Sequence, residues 1–319
     1  MKVGLALGGG SVKGLAHIGV LKVLEKHKIK IDYISGTSIG AVVAGLYASG
    51  MSVKQLEKIA TKTKWKNLID FVVPKDGFLK GDKIEEYLRV LLNNKRFEDL
   101  NVSCGLVAVD LNSGNKVVFK KGDVAKAIRA SISIPGVFVP VKLRNLVLVD
   151  GSVVDPVPGS VVREMGADVV IGVNLFQPYK EVFTTVPQKT KGFENIFKSS
   201  LLYQEVEYLE KYLEKKSFEI PLILQLIFNP VKLAKLIKNS TGKFPPLLKI
   251  TWASNYLLIN ELSRRISKED IDMVINPSLK NIKELEFTRA KYIIGRGETA
   301  AKEKISEIKK LLKNAKNKT

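Results

Sequence analysis

The chain has 319 residues, 45% of them hydrophobic, a single cysteine and a formal net charge of +20. That is enough for one large α/β core with room for an insertion; it excludes an internal disulfide, and no run approaches the ~18 apolar residues of a membrane span. The basic excess is spread along the chain without a nucleic-acid module, so a nucleic-acid partner is not expected, and either attraction to anionic phospholipid or a generally basic solvated surface accounts for it.

At the amino terminus, Lys2 is followed by a strand and glycines rather than a secretory apolar stretch. With one cysteine, this predicts a cytoplasmic protein, with room for peripheral contact at the inner membrane surface. Val3 to Leu7 reads as a buried strand and Leu15 to Leu24 as a helix. Between them lies Gly8-Gly9-Gly10-Ser11-Val12-Lys13-Gly14. A glycine-rich turn at a helix start presents backbone N–H groups to a phosphate or to an oxyanion. Both nucleotide readings fit poorly: Lys13 precedes the last glycine of a phosphate loop, and it stands where a dinucleotide motif needs glycine. Lys13 either draws an anionic head group or pairs structurally. His17 lies on the apolar face of the helix with Val20, Leu21 and Leu24, which predicts a core histidine.

The apolar run Ile29 to Ile34 leads into Gly36-Thr37-Ser38-Ile39-Gly40, and the helix former Ala41 to Ala48 leads out. Strand, sharp turn and helix is the context that lifts a serine Oγ out of a sheet for attack. The same pattern also fits a tight turn whose serine caps the helix. Both histidines, His17 and His27, precede Ser38, so the usual order of nucleophile, acid, then histidine is impossible.

Further on, Leu106 to Val109 and Val117 to Phe119 flank Asn112-Ser113-Gly114-Asn115, a hairpin pattern that makes Asp110 structural. Cys104 has no disulfide partner and no metal spacing. Leu146-Val147-Leu148-Val149 reads as a strand ending in Asp150-Gly151-Ser152. An acid there suits either a base for Ser38 or an ordinary Asp-Gly turn. Residues 193–216 have a charged helical pattern, and Ile220 to Phe228 is densely apolar. After Pro230, Leu233, Leu236 and Ile237 oppose Lys232, Lys235 and Lys238. That layout suits an interfacial helix, a lid or a surface helix on a core.

Taken together, the glycine-rich turn, the Ser38 elbow and Asp150-Gly151 resemble the patatin-like phospholipase family. Ala130 to Val141, Gly166 to Asn174 and Asp272 to Pro277 are similar to further blocks of its bacterial-type members. The resemblance implies a three-layer α/β/α fold with a mainly parallel central sheet and a helical insertion. Residues 1–180 would form the catalytic core, completed by 250–312, with 181–249 as the insertion and 313–319 as a basic tail. It implies a serine acyl hydrolase of the phospholipase A, lysophospholipase or carboxylesterase type, without metal or cofactor. Ser38 and Asp150 would form a catalytic dyad, Gly9, Gly10 and Ser11 an oxyanion hole, and Lys13, Gly14, Gly36, Gly40 and Gly151 its support. Ser11 replaces the family's third loop glycine, and Ser152 its final Gly or Ala. A lipid-binding regulatory protein with little or no turnover is the alternative.

Overall fold

The computed structural model describes residues 1–70, 77, 79–176, 246–265, 270–280, 282 and 286–317. The predicted insertion and its Lys232, Lys235 and Lys238 lie outside these residues, apart from the start of the helix at Pro246. The described strands, in chain order, are β1 (Val3–Leu7), β2 (Tyr33–Thr37), β3 (Ser103–Asp110), β4 (Lys116–Phe119), β5 (Val141–Leu143), β6 (Leu146–Asp150), β7 (Val169–Val173) and β8 (Met273–Ile275). They form one sheet ordered β5-β6-β3-β2-β1-β7-β8, with β4 paired to β3. From β3 to β8 neighbouring strands run parallel, whereas β4, β5 and β6 are antiparallel.

Parallel strands covered on both faces need apolar residues on both, and β1 and β7 are buried at every position. The pleat divides them. Leu5, Leu7, Ile171 and Val173 join the large core with helices α1 (Ala16–Lys26), α2 (Ile39–Ala48) and α3 (Val53–Lys62). Ala6 and Val170 face the other way, onto Val162 of the short helix α6 (Gly159–Glu164). Helices α4 (Asp82–Leu92) and α5 (Val124–Ser131) extend the larger layer. Helix α7 (Pro246–Arg264) follows the insertion, and α8 (Ala290–Lys316) packs along α1. The result is a three-layer α/β/α fold. Each fully buried Leu or Ile in it contributes roughly 1.5–3 kcal/mol. Among the described residues, no helix is long and apolar enough to cross a membrane.

The run from Ile29 begins as the exit of α1 rather than as strand. Lys28 turns the chain at φ 56°, the Ile29 amide returns to the Leu24 carbonyl, and pairing starts only at Tyr33. The predicted hairpin is β3–β4, and Asp110 closes its turn by accepting from Ser113 Oγ at 2.7 Å and the Val147 amide at 3.0 Å. Those bonds, led by Ser113, hold its carboxyl below the usual range.

The decisive feature is the edge that β3 offers β2. β4 occupies the opposite edge from Leu106 to Val109, so β2 and β6 share this one. Val107 pairs with Thr37 at the end of β2, and the next residue, Ala108, pairs with Asp150 at the end of β6. Because β6 runs against β3, the two carboxyl ends meet head to head.

Candidate active site

Ser38 sits at φ 56° and ψ −127°, a strained conformation forced by the step from β2 to α2. The turn is tight enough that a Cβ on Gly40 would lie 2.1 Å from the Leu7 carbonyl oxygen and one on Gly36 would lie 2.4 Å from that of Gly40. Gly14 is equally crowded by Ile39. Side chains at these positions would push the elbow off β1. Ser38 is also the N-cap of α2, so the positive end of that helix dipole lies beside it.

The head-to-head strands bring Ser38 and Asp150 together. The Ser38 hydroxyl lies near enough to the Asp150 carboxylate to favour its ionised form, and both residues are buried. Asp150 Oδ1 also accepts from the Ser152 amide at 2.8 Å. Burial pushes the Asp150 carboxyl up to about 6, against the lowering effect of Ser38 and of the Ser152 amide and hydroxyl. Ser152 therefore does lower the basicity of Asp150, but desolvation outweighs it. Gly151 packs against the Val107 carbonyl oxygen, where a Cβ would come within 2.5 Å.

The glycine-rich turn lies over this pair, and it differs from expectation at Gly9. The Gly9 amide donates to the Pro156 carbonyl at 3.0 Å, so it is already committed and cannot serve an oxyanion. What Gly9 supplies instead is space: a Cβ there would sit 2.2 Å from Ser152 Oγ and 3.4 Å from Ser38 Cβ. The Gly10 amide has no protein acceptor among the described residues. Gly10 has φ 147°, and Ser11, in place of the third glycine, adopts φ 52°. A left-handed serine costs on the order of 1 kcal/mol that glycine avoids.

Lys13 is buried, its Nζ 3.5 Å from the Tyr256 hydroxyl and 5.5 Å from the centre of that ring, which Phe176 meets edge-on. The lysine of the glycine-rich turn thus lies beneath α7. His17 is a core residue as predicted. Its Nε2 donates to the Gly8 carbonyl at 2.8 Å, and burial lowers its pKa to about 4, so the ring is neutral. Cys104 is buried and its thiol pushed well up, which leaves it unreactive.

Sequence reasoning passes over Ser131 and Ser133 at the exit of α5. The Ser131 hydroxyl accepts from the Ser38 amide at 2.8 Å and donates to the Val107 carbonyl at 2.6 Å. The Ser133 carbonyl accepts from the Asp150 amide at 2.9 Å. The sequence marks them only as members of the Ala130 to Val141 block and as a pair of serines, two apart, ending a helix.

Residues 5–162 match the model of the patatin-like phospholipase family. An uncharacterized NTE family protein of Mycobacterium tuberculosis is 37% identical over 176 residues, covering 54% of this chain and 49% of that protein. Lysophospholipase NTE1 of Candida albicans is 30% identical over 179 residues, 54% of this chain and 13% of that protein. The crystal structure of VipD from Legionella pneumophila aligns over 95% of this chain and 66% of its own, at 12% identity and a TM-score of 0.46. The chain belongs to the patatin-like phospholipase family. It spans about half the length of the mycobacterial relative and a smaller share of the yeast one.

Proposed function

We propose that this protein is a serine acyl hydrolase that cleaves lipid acyl esters through a Ser38–Asp150 dyad. The observation that carries this reading is that the carboxyl ends of β2 and β6 meet, which sets buried Ser38 beside a buried carboxylate whose pKa is raised to about 6. A general base works best with a pKa near the operating pH, and an unperturbed carboxylate is too weak. Asp150 takes the Ser38 proton as Oγ attacks the ester carbonyl carbon, and the π electrons move onto the carbonyl oxygen. The Gly10 and Ser11 amides receive that oxyanion, each donor contributing on the order of 3 kcal/mol. Collapse breaks the ester C–O bond, and the alcohol leaves with the proton held by Asp150. Asp150 then deprotonates a water that attacks the acyl-enzyme, and the proton returns to Ser38 as the fatty acid departs.

The family and its lysophospholipase relative support a lipid ester as substrate. The test is reaction with a fluorophosphonate probe followed by peptide mapping. Ser38 is the expected site, and Ser38→Ala should lose both labelling and esterase turnover. Labelling at another serine would overturn the assignment. A folded parent that binds lipid vesicles but neither labels nor hydrolyses would make this a lipid-binding regulatory protein instead.

A further inference from the structure

Val107 stands where β2 ends and β6 begins along one edge of β3, so its carbonyl faces a break in the ladder. The Ser131 hydroxyl fills that break, donating to Val107 and accepting from Ser38. Two residues on, the Ser133 carbonyl holds the Asp150 amide. Neither tie is loose. Ser131 and Ser133 are fully buried, and Ser133 Oγ accepts from Arg129 Nη1 at 2.7 Å while donating to the Arg129 carbonyl at 2.9 Å. Arg129, itself buried, donates through Nη2 to the carbonyls of Lys80 and Val139. One short stretch thus grips the backbone of the proposed nucleophile at one end and of the proposed base at the other.

We infer that the exit of α5 is a bracket that sets the Ser38–Asp150 separation, with Ser131 as a positioning residue for the acyl-transfer step. This rests on the dyad reading above. Ser131 bonds the Ser38 amide rather than its hydroxyl, so it acts through the backbone of Ser38. Without its hydroxyl, the buried Ser38 N–H and Val107 carbonyl are both unpaired, and the elbow can relax only by moving. A displacement near 1 Å costs about a hundredfold in rate.

The experiment compares Ser131→Ala, Ser131→Thr and Ser131→Val with the parent, using p-nitrophenyl butyrate hydrolysis and amide hydrogen exchange at Ser38. Thr and Val add the same bulk at a crowded site, so any packing penalty is shared and only the hydroxyl differs. Ala and Val are expected to lower kcat roughly tenfold to a hundredfold with KM within about threefold. Thr should turn over at least about tenfold faster than Val, and Ser38 exchange should quicken in Ala and Val but not in Thr. Equal turnover and exchange in Thr and Val, or an Ala variant matching the parent in both, would overturn the bracket. Exchange needs no turnover. An inactive parent would therefore sink the dyad reading, while the Thr–Val difference in exchange still decides for or against the bracket.

Discussion

Asp150 carries a pH dependence that separates catalysis from stability. As the proposed base its carboxyl must be ionised, so kcat/KM should rise through an apparent pKa near 6 and level off above it. The Ser152 hydroxyl bond lowers that value, so Ser152→Ala should shift the acidic limb upward; an unmoved limb would show that another group sets it. Stability runs in the opposite direction. A carboxyl raised from 3.8 to about 6 by folding holds its proton more tightly in the folded state, so its contribution is present below about pH 4 and lost as pH rises through 6. That loss is on the order of 3 kcal/mol. Asp150→Asn should therefore abolish most turnover yet melt several degrees above the parent at pH 7, with the gap closing at pH 4. A gap independent of pH would contradict the buried, ionising carboxyl. Ser38, Asp150 and the glycine-rich turn are legible in the sequence because each is a local strand-and-turn pattern. The committed Gly9 amide, the left-handed Ser11 and the grip of Ser131 are not, since each depends on a partner far along the chain.

Among the elements, the α1–α8 crossing shows the same limit on reading. Gly295 and Gly297 look alike in sequence, but a Cβ on Gly297 would lie 1.9 Å from the Ala16 carbonyl oxygen, and one on Gly295 meets nothing within 4 Å. Gly19 faces the reverse contact, 2.0 Å from the Ile294 carbonyl oxygen. The two helices touch backbone to backbone there. Gly297→Ala should force them apart and cost about 1–3 kcal/mol in denaturant unfolding. Gly295→Ala should instead gain roughly 0.5–1 kcal/mol from helix propensity. Equal effects at both positions would mean that the crossing is looser than it looks. Strands β1 and β7 were legible from their unbroken apolar runs, whereas β2 starts only at Tyr33, near the end of its apolar run, and the α5 exit shows no periodicity to mark it.

For the whole molecule, the question is how a +20 chain meets its substrate. The ion pairs of Lys2 and Lys30 with Asp32 lie at the amino ends of β1 and β2, the far end of the sheet from Ser38. We propose that residues 220–238 make the membrane contact, on sequence pattern alone. Basic residues near an anionic surface contribute ~1 kcal/mol each and are screened by salt. Replacing Lys232, Lys235 and Lys238 with Gln should weaken binding to anionic vesicles by about one to two orders of magnitude and flatten its salt dependence. Hydrolysis of a soluble short-chain ester should barely change. Undiminished vesicle binding would place the contact elsewhere.

The head-to-head meeting of β2 and β6 also makes the proposed dyad a clock for folding. Ser38 reaches its correct backbone setting only when a partner 93 residues away in sequence has arrived, and Asp150 only when β6 has closed on β3. Helices such as α1 and α8 form from local contacts, whereas these pairings wait on the slow closure of long loops. During refolding, helical circular dichroism should therefore recover before fluorophosphonate reactivity does. An unfinished chain would hold Ser38 away from Asp150, so on the proposed mechanism no acyl transfer begins until the sheet is complete.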